Sequence, residues 1–224
     1  MEKKKEFIKL IKKVLTPFAR EHDFIFYNPT ILIRLNKDTL HIINFDLGTA
    51  GFTCDVAIQP IYVPAESLVL SFGNRLSRFN VLINERWKYG ESQQEDEFNL
   101  LQIVELIKEN VLIWFEEVGS AKGIISFIEK GLVNDTKLII GFPPFMKNLY
   151  LGFSYLYEEK IKLAEGALHQ VLDNLVADSR TWAVELKQVV NALLLLADDE
   201  PEEITKILQE YVEKNYLKLK LKHS

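Results

Sequence analysis

"HIINFDLGTAGFTCDVAIQP", residues 41–60, decides how this chain is read. It puts a histidine, two aspartates and the only cysteine of the chain into one short span. It is either a reactive site or one hairpin of a sheet. Apolar residues recur at period two on both sides of Gly48 to Gly51, which is the pattern of two strands joined by a turn. Such a turn pairs Leu47 with Phe52, Phe45 with Cys54, Ile43 with Val56 and His41 with Ile58. Side chains alternate across a sheet, so these eight residues share one face. Asn44, Asp46, Thr53, Asp55 and Gln59 share the other. The cysteine therefore points into apolar company, away from both aspartates. His41 is on the cysteine face but about 13 Å along the strand at the usual rise, too far for a thiolate–imidazole pair. Cys54 reads as a small buried hydrophobe. What survives is the polar face, where Asn44 opposite Asp55 and Asp46 opposite Thr53 suit cross-strand hydrogen bonds. That face is either the solvated side of an antiparallel sheet or a surface for a ligand or partner.

Upstream of the hairpin, Phe7, Leu10, Ile11, Val14, Leu15 and Phe18 fall at steps of three and four, one apolar stripe of a helix. Lys3, Lys4, Lys5, Lys9, Lys12 and Lys13 mostly take its other side, as a solvated face or as attraction for an anionic surface. Pro17 is placed to kink or end this helix. Residues 24–28, 30–36, 40–47 and 52–63 then read as strands, with turns at Asn28-Pro29, Asn36-Lys37-Asp38 and Gly48 to Gly51. Short connections imply an antiparallel meander. Residues 66–79 suit one more strand followed by a turn or short helix.

Downstream, Ser92 with Glu95 has capping-box spacing, and Glu95, Asp96 and Glu97 fall in the first turn of the helix it opens. The apolar positions from Phe98 to Phe115 make that helix long and well buried. Further helices are expected over 120–130, 145–157, 160–176, 180–197 and 201–214, the last capped by Asp199 with Pro201 in its first turn. The tail "YLKLKLK" is an edge strand or a frayed end. Leu151, Gly152, Tyr155, Ala164 and Leu168 have the spacing of a tetratricopeptide helix pair, with Trp182 on a plausible anchor position about 34 residues on. This predicts tetratricopeptide-like packing, serving either as a peptide groove or as a plain bundle. The fold class is α+β: a helix packed on an antiparallel sheet over residues 1–92, then an all-helical half over 93–224.

Bulk properties narrow the function. The chain has 224 residues and a net charge of −5, from 27 basic and 32 acidic residues. A duplex-DNA binder usually shows a basic excess, so nucleic acid is disfavoured as the main partner. One cysteine makes neither an internal disulfide nor a thiolate zinc site by itself. No apolar run approaches the roughly 18 residues of a membrane span, and charges interrupt the N-terminal apolar stripe. The expectation is a soluble cytoplasmic protein. His22, His41, His169 and His223 are isolated, without metal-ligand spacing. An Asp46/Asp55 pair holds a cation only if other oxygens converge on it. Phosphate-loop and nucleophile-elbow motifs are absent, so no catalytic residue, metal or cofactor is assigned. Residues 72–89 interleave Arg75, Arg78, Arg86 and Lys88 with Phe79, Trp87 and Tyr89. That pattern is either a base-stacking patch for single-stranded nucleic acid or a loop anchored to the core by its aromatics.

The N-terminal run "FIKLIKKVLTPFAREHDFIF", then "INF", then "GFTCDVAIQPIY" resembles an uncharacterised bacterial family, the domain of unknown function catalogued as 4304. The resemblance covers roughly residues 1–120. Asp23 stands where that family has glycine, Asp46 where it has glutamine and Asp55 where it has asparagine. The family implies no activity, but small α+β bacterial families of this kind include immunity proteins that bind toxins. The leading expectation is therefore a non-catalytic protein-binding module, with an immunity-type role as one version. The rivals are a hydrolase or small-ligand or cation binder at Asp46 and Asp55, and a single-stranded nucleic-acid binder through residues 72–89.

Overall fold

The apolar stripe of the first segment folds as one helix, α1 (Glu2–Glu21), burying Phe7, Leu10, Ile11, Leu15 and Phe18. Pro17 lies inside it without ending it. The residue is exposed, so the carbonyl it leaves without a donor is on the wet side. Asp23 closes the connection to the sheet at φ 59°, a left-handed conformation that favours glycine. Aspartate tolerates it better than most residues do.

The computed structural model describes residues 2–70, 72–79, 86–131 and 143–221. Its sheet runs β1 (Ile25–Asn28), β2 (Ile31–Asn36), β3 (Thr39–Leu47), β4 (Gly51–Pro60) and β5 (Gly73–Arg75), all antiparallel. A two-residue strand, β6 (Trp87–Lys88), also pairs with β4. The hairpin register is the one that alternation predicts: Leu47 opposite Phe52, Phe45 opposite Cys54, Ile43 opposite Val56 and His41 opposite Ile58. The Gly48 N–H donates to the Gly51 carbonyl at 2.9 Å and closes the turn. β4 stops at Pro60, three residues short of the apolar run, because proline has no N–H to continue a ladder. In residues 66–79, β5 is followed by a short 3-10 helix, Leu76–Arg78.

Beyond the sheet come α2 (Gln93–Leu106), a π-helical turn (Ile107–Val111), α3 (Leu112–Val118) and α4 (Ala121–Glu129). α5 (Pro144–Tyr157), α6 (Ile161–Leu175), α7 (Thr181–Asp199) and α8 (Pro201–Lys218) complete the order. Ser92 caps α2 by accepting from the Glu95 N–H at 3.2 Å. Glu95 reaches back to the N–H of Glu91 rather than of Ser92, and buried Asp96 takes the N–H of Gly90. The carboxylates of Glu95 and Asp96 are thus spent on the local backbone, while Glu97 pairs with Lys13 of α1 at 2.8 Å. In α5 and α6 a Cβ at Gly152 would lie 2.8 Å from Leu168, so glycine allows the close helix crossing expected there.

Two expectations for the C-terminal region are corrected. The N-cap position of α8 is Glu200, without a side-chain cap, while Asp199 ends α7. Proline at the first helical position keeps the residue before it out of helical geometry, and Glu200 at φ −142°, ψ 65° therefore sits at the cap one residue later. The tail is neither strand nor frayed end as far as Lys218. Ile204, Leu208, Val212, Asn215 and Leu219 continue one buried stripe at helical period, and it outweighs the local leucine–lysine alternation.

One cluster of buried apolar side chains runs from α1 through the sheet to α8. Phe7 meets Phe52 at 4.6 Å and His41 stacks on Phe115 at 4.5 Å, so α1 and α3 cover the cysteine face of the hairpin. The opposite face is not uniformly wet. Leu40, Ile42 and Ala57 are buried there, while Asp46 at its hairpin end and Ile25 at its β1 edge meet solvent. No described helix is long and apolar enough to cross a membrane.

Candidate functional site

Cys54 is fully buried, and burial pushes its thiol well above the usual range. His41 is buried four residues further along the sheet, in register with Ile58. Its Nδ1 faces the Arg34 guanidinium, with Nε at 3.2 Å and Nη2 at 2.9 Å. Arg34 is held in turn by Glu116 at 2.7 Å. A Cβ at Gly119 would collide with His41 Nε2 and the Phe115 carbonyl, so glycine is required where α3 ends. Neither side chain offers solvent a nucleophile or a base.

The polar face divides. Asn44 and Asp55 are half-buried, Thr53 is buried and Asp46 is exposed. Asn44 donates to Asp55 across the strands at 3.4 Å. Thr53 donates to Asp55 on its own strand, also at 3.4 Å, rather than to Asp46. β5 brings Arg75 into register with Asp55, its Nε 4.0 Å from Oδ1. The aspartate and arginine sets, separate in sequence, meet here, and Arg78 lines the same shallow depression. Burial raises the Asp55 carboxyl above the ordinary range, against the opposing pull of Arg75 and with help from Asp46. Its surroundings therefore favour the charged form less than water does. Asp55→Asn is expected to be as stable as wild type or more so at neutral pH, with any advantage shrinking as pH falls and the aspartate protonates. Urea denaturation at pH 7 and pH 4 checks this, and a marked loss at pH 7 would contradict it.

The aromatics of residues 72–89 are spent within the fold. Phe79 packs edge-on to Trp114 at 5.3 Å, and Trp87 stacks on Phe52 at 6.0 Å. The Tyr89 hydroxyl donates to the Gly48 carbonyl at 3.0 Å. Arg86 and Lys88 are exposed beside the hairpin turn. Residues 80–85 of this run, and His223, lie outside the described residues.

Gln59 is not part of the polar patch. It is buried at the other end of β4, where Nε2 donates to the Ser67 carbonyl at 3.2 Å and Oε1 accepts from the Val69 N–H at 2.8 Å. Both ends of its amide hold the segment after β4 in place. That segment is one wall of an apolar groove of about 520 Å³. Pro60, Val63, Pro64, Ala65 and Val69 form this wall. Pro143 with Phe145, Met146 and Leu149 of α5 forms a second. Trp182, Leu186 and Val189 of α7 form the third. Trp182 packs on Phe145 at 5.4 Å and lies under the Arg180 guanidinium at 4.8 Å, yet remains 39% exposed. A large aromatic ring held in place and still open to solvent is suited to anchor another molecule.

No family model, curated protein or solved structure matches this chain.

Among the described residues no three His, Cys, Asp or Glu side chains are grouped to hold a metal ion. The groove was the feature hardest to see in sequence. Its walls come from residues 59–69, 143–150 and 182–189. Only Trp182, on the helix partner of the tetratricopeptide-like pair, signalled it.

Proposed function

We propose that this chain is a non-catalytic protein-binding module and that the groove between the post-β4 segment, α5 and α7 receives an apolar segment of its partner. The observation that carries this reading is the groove itself, an apolar surface with a fixed, solvent-facing tryptophan at its edge. Its size is in the range of sites that take a few large side chains. Cys54 and His41, the reactive side chains of the hairpin, belong to the core. Asp55, the hub of the polar patch, is already engaged by Asn44, Thr53 and Arg75. The acidic charge balance supports an immunity-type version, in which the chain caps a basic toxin surface. The bacterial affiliation of residues 1–120 belongs to the same proposal.

The test pairs wild type with Trp182→Ala in pull-downs from native lysate. A partner recovered in stoichiometric amount by wild type and lost by the variant is the expected result. A partner held equally by both would remove the groove from the account.

A further inference from the structure

From the chemistry of the groove we infer that the partner segment is an amphipathic helix whose apolar face is flanked by lysine or arginine. This rests on the groove being a protein-docking site. Among the described lining residues, Glu66 and Glu185 are the only ones that carry charge, and both are exposed on the rim. Glu66 is shared with Lys218 of α8. Glu185 has no ion pair among the described residues. Arg180, two residues before Trp182, is already bonded through Nε and Nη2 to both carboxylate oxygens of Asp178, and Lys187 of α7 donates to the Leu175 and Asp178 carbonyls. Glu185 is therefore the rim carboxylate left for whatever enters, and a cationic flank is its complement.

The walls also select the backbone form of the occupant. Pro60, Pro64 and Pro143 have no N–H, so these walls give an extended peptide little of the ladder that strand addition needs. The one buried side-chain amide of the lining, Gln59, is engaged at both ends, donating to the Ser67 carbonyl and accepting from the Val69 N–H. What the groove offers is apolar side-chain contact, which a helix supplies with its own backbone already paired.

The test uses a library of short amphipathic helical peptides with leucine and tryptophan anchors and flanking positions varied among lysine, glutamine and glutamate. The library is selected against the full chain, its Glu185→Lys variant and its Trp182→Ala variant. The expected result is enrichment of lysine-flanked peptides that require Trp182. Their affinity should fall about tenfold or more in Glu185→Lys, with glutamate-flanked peptides gaining in return. Peptides that need Trp182 but show no charge preference, or prefer glutamate, would overturn this inference while leaving the docking groove in place. Absence of any Trp182-dependent peptide would overturn the groove reading and this inference with it. Self-association of the chain that Trp182→Ala abolishes would also overturn both, because the occupant would then be a second copy.

Discussion

Asn215→Leu is expected to lower the free energy of unfolding by about 2–6 kcal/mol, since each of two buried carbonyls left without its donor costs about 1–3 kcal/mol. Asn215 is only 2% exposed, and its Nδ2 donates to the carbonyls of Ile61 at 2.7 Å and Val63 at 2.8 Å. These bonds tie α8 to the chain just after β4 ends, where the backbone has left the sheet and no ladder partner satisfies it. Leucine matches asparagine in branching and side-chain heavy-atom count but is bulkier, so the lost donors and some overpacking both enter the loss. Urea denaturation measures it, and a loss under about 1 kcal/mol would mean that water replaces the amide. The same latch fixes the backbone that carries Val63 and Pro64 into the groove. The variant should therefore also weaken partner binding under conditions where it remains folded.

Stability is expected to fall with acid in a window set by His41. Burial first, and the Arg34 charge second, push its imidazole down to about 3. The unfolded chain has the ordinary value near 6.5, so it takes up the proton before the folded chain does. The contribution of neutral His41 is fully present above about pH 6.5 and is lost progressively towards pH 3, with a slope of up to about 1.4 kcal/mol per pH unit. The geometry gives the cause. Nδ1 accepts from two Arg34 N–H groups, and a proton on that nitrogen would turn both contacts repulsive. His41→Gln removes the titration, so the difference between wild type and variant isolates it from the carboxylates. Parallel pH profiles for the two proteins between pH 6.5 and pH 4 would contradict the assignment.

The strand and helix assignments were legible because their periods were clean. The alternation around Cys54 yielded the hairpin register residue for residue, and the stripe from Phe7 to Phe18 yielded α1. The α+β order followed from the change of period. The far face of the sheet was less legible. Its polar members drew attention, while Leu40, Ile42 and Ala57, on the same face, already implied that most of it is covered. Gln59 alternates correctly with Asp55 yet lies at the other end of the strand, so sharing a face did not mean sharing a site. Asn215 carried no sequence signal. A lone asparagine in an amphipathic helix looks like a surface residue until the carbonyls it meets, about 150 positions away, are known. The groove was hidden for the same reason, since its walls are assembled by tertiary packing.

The most direct test of the account is the affinity of a purified partner, recovered from lysate, for wild type, Trp182→Ala and Asp55→Asn, each shown by thermal unfolding to be folded. A buried aromatic anchor is worth about 2 kcal/mol or more when truncated, so Trp182→Ala should weaken binding about thirtyfold or more. Asp55→Asn should bind as wild type does. The reverse pattern, with binding lost in Asp55→Asn and kept in Trp182→Ala, would move the functional surface to the polar end of the hairpin and contradict the groove as the binding site.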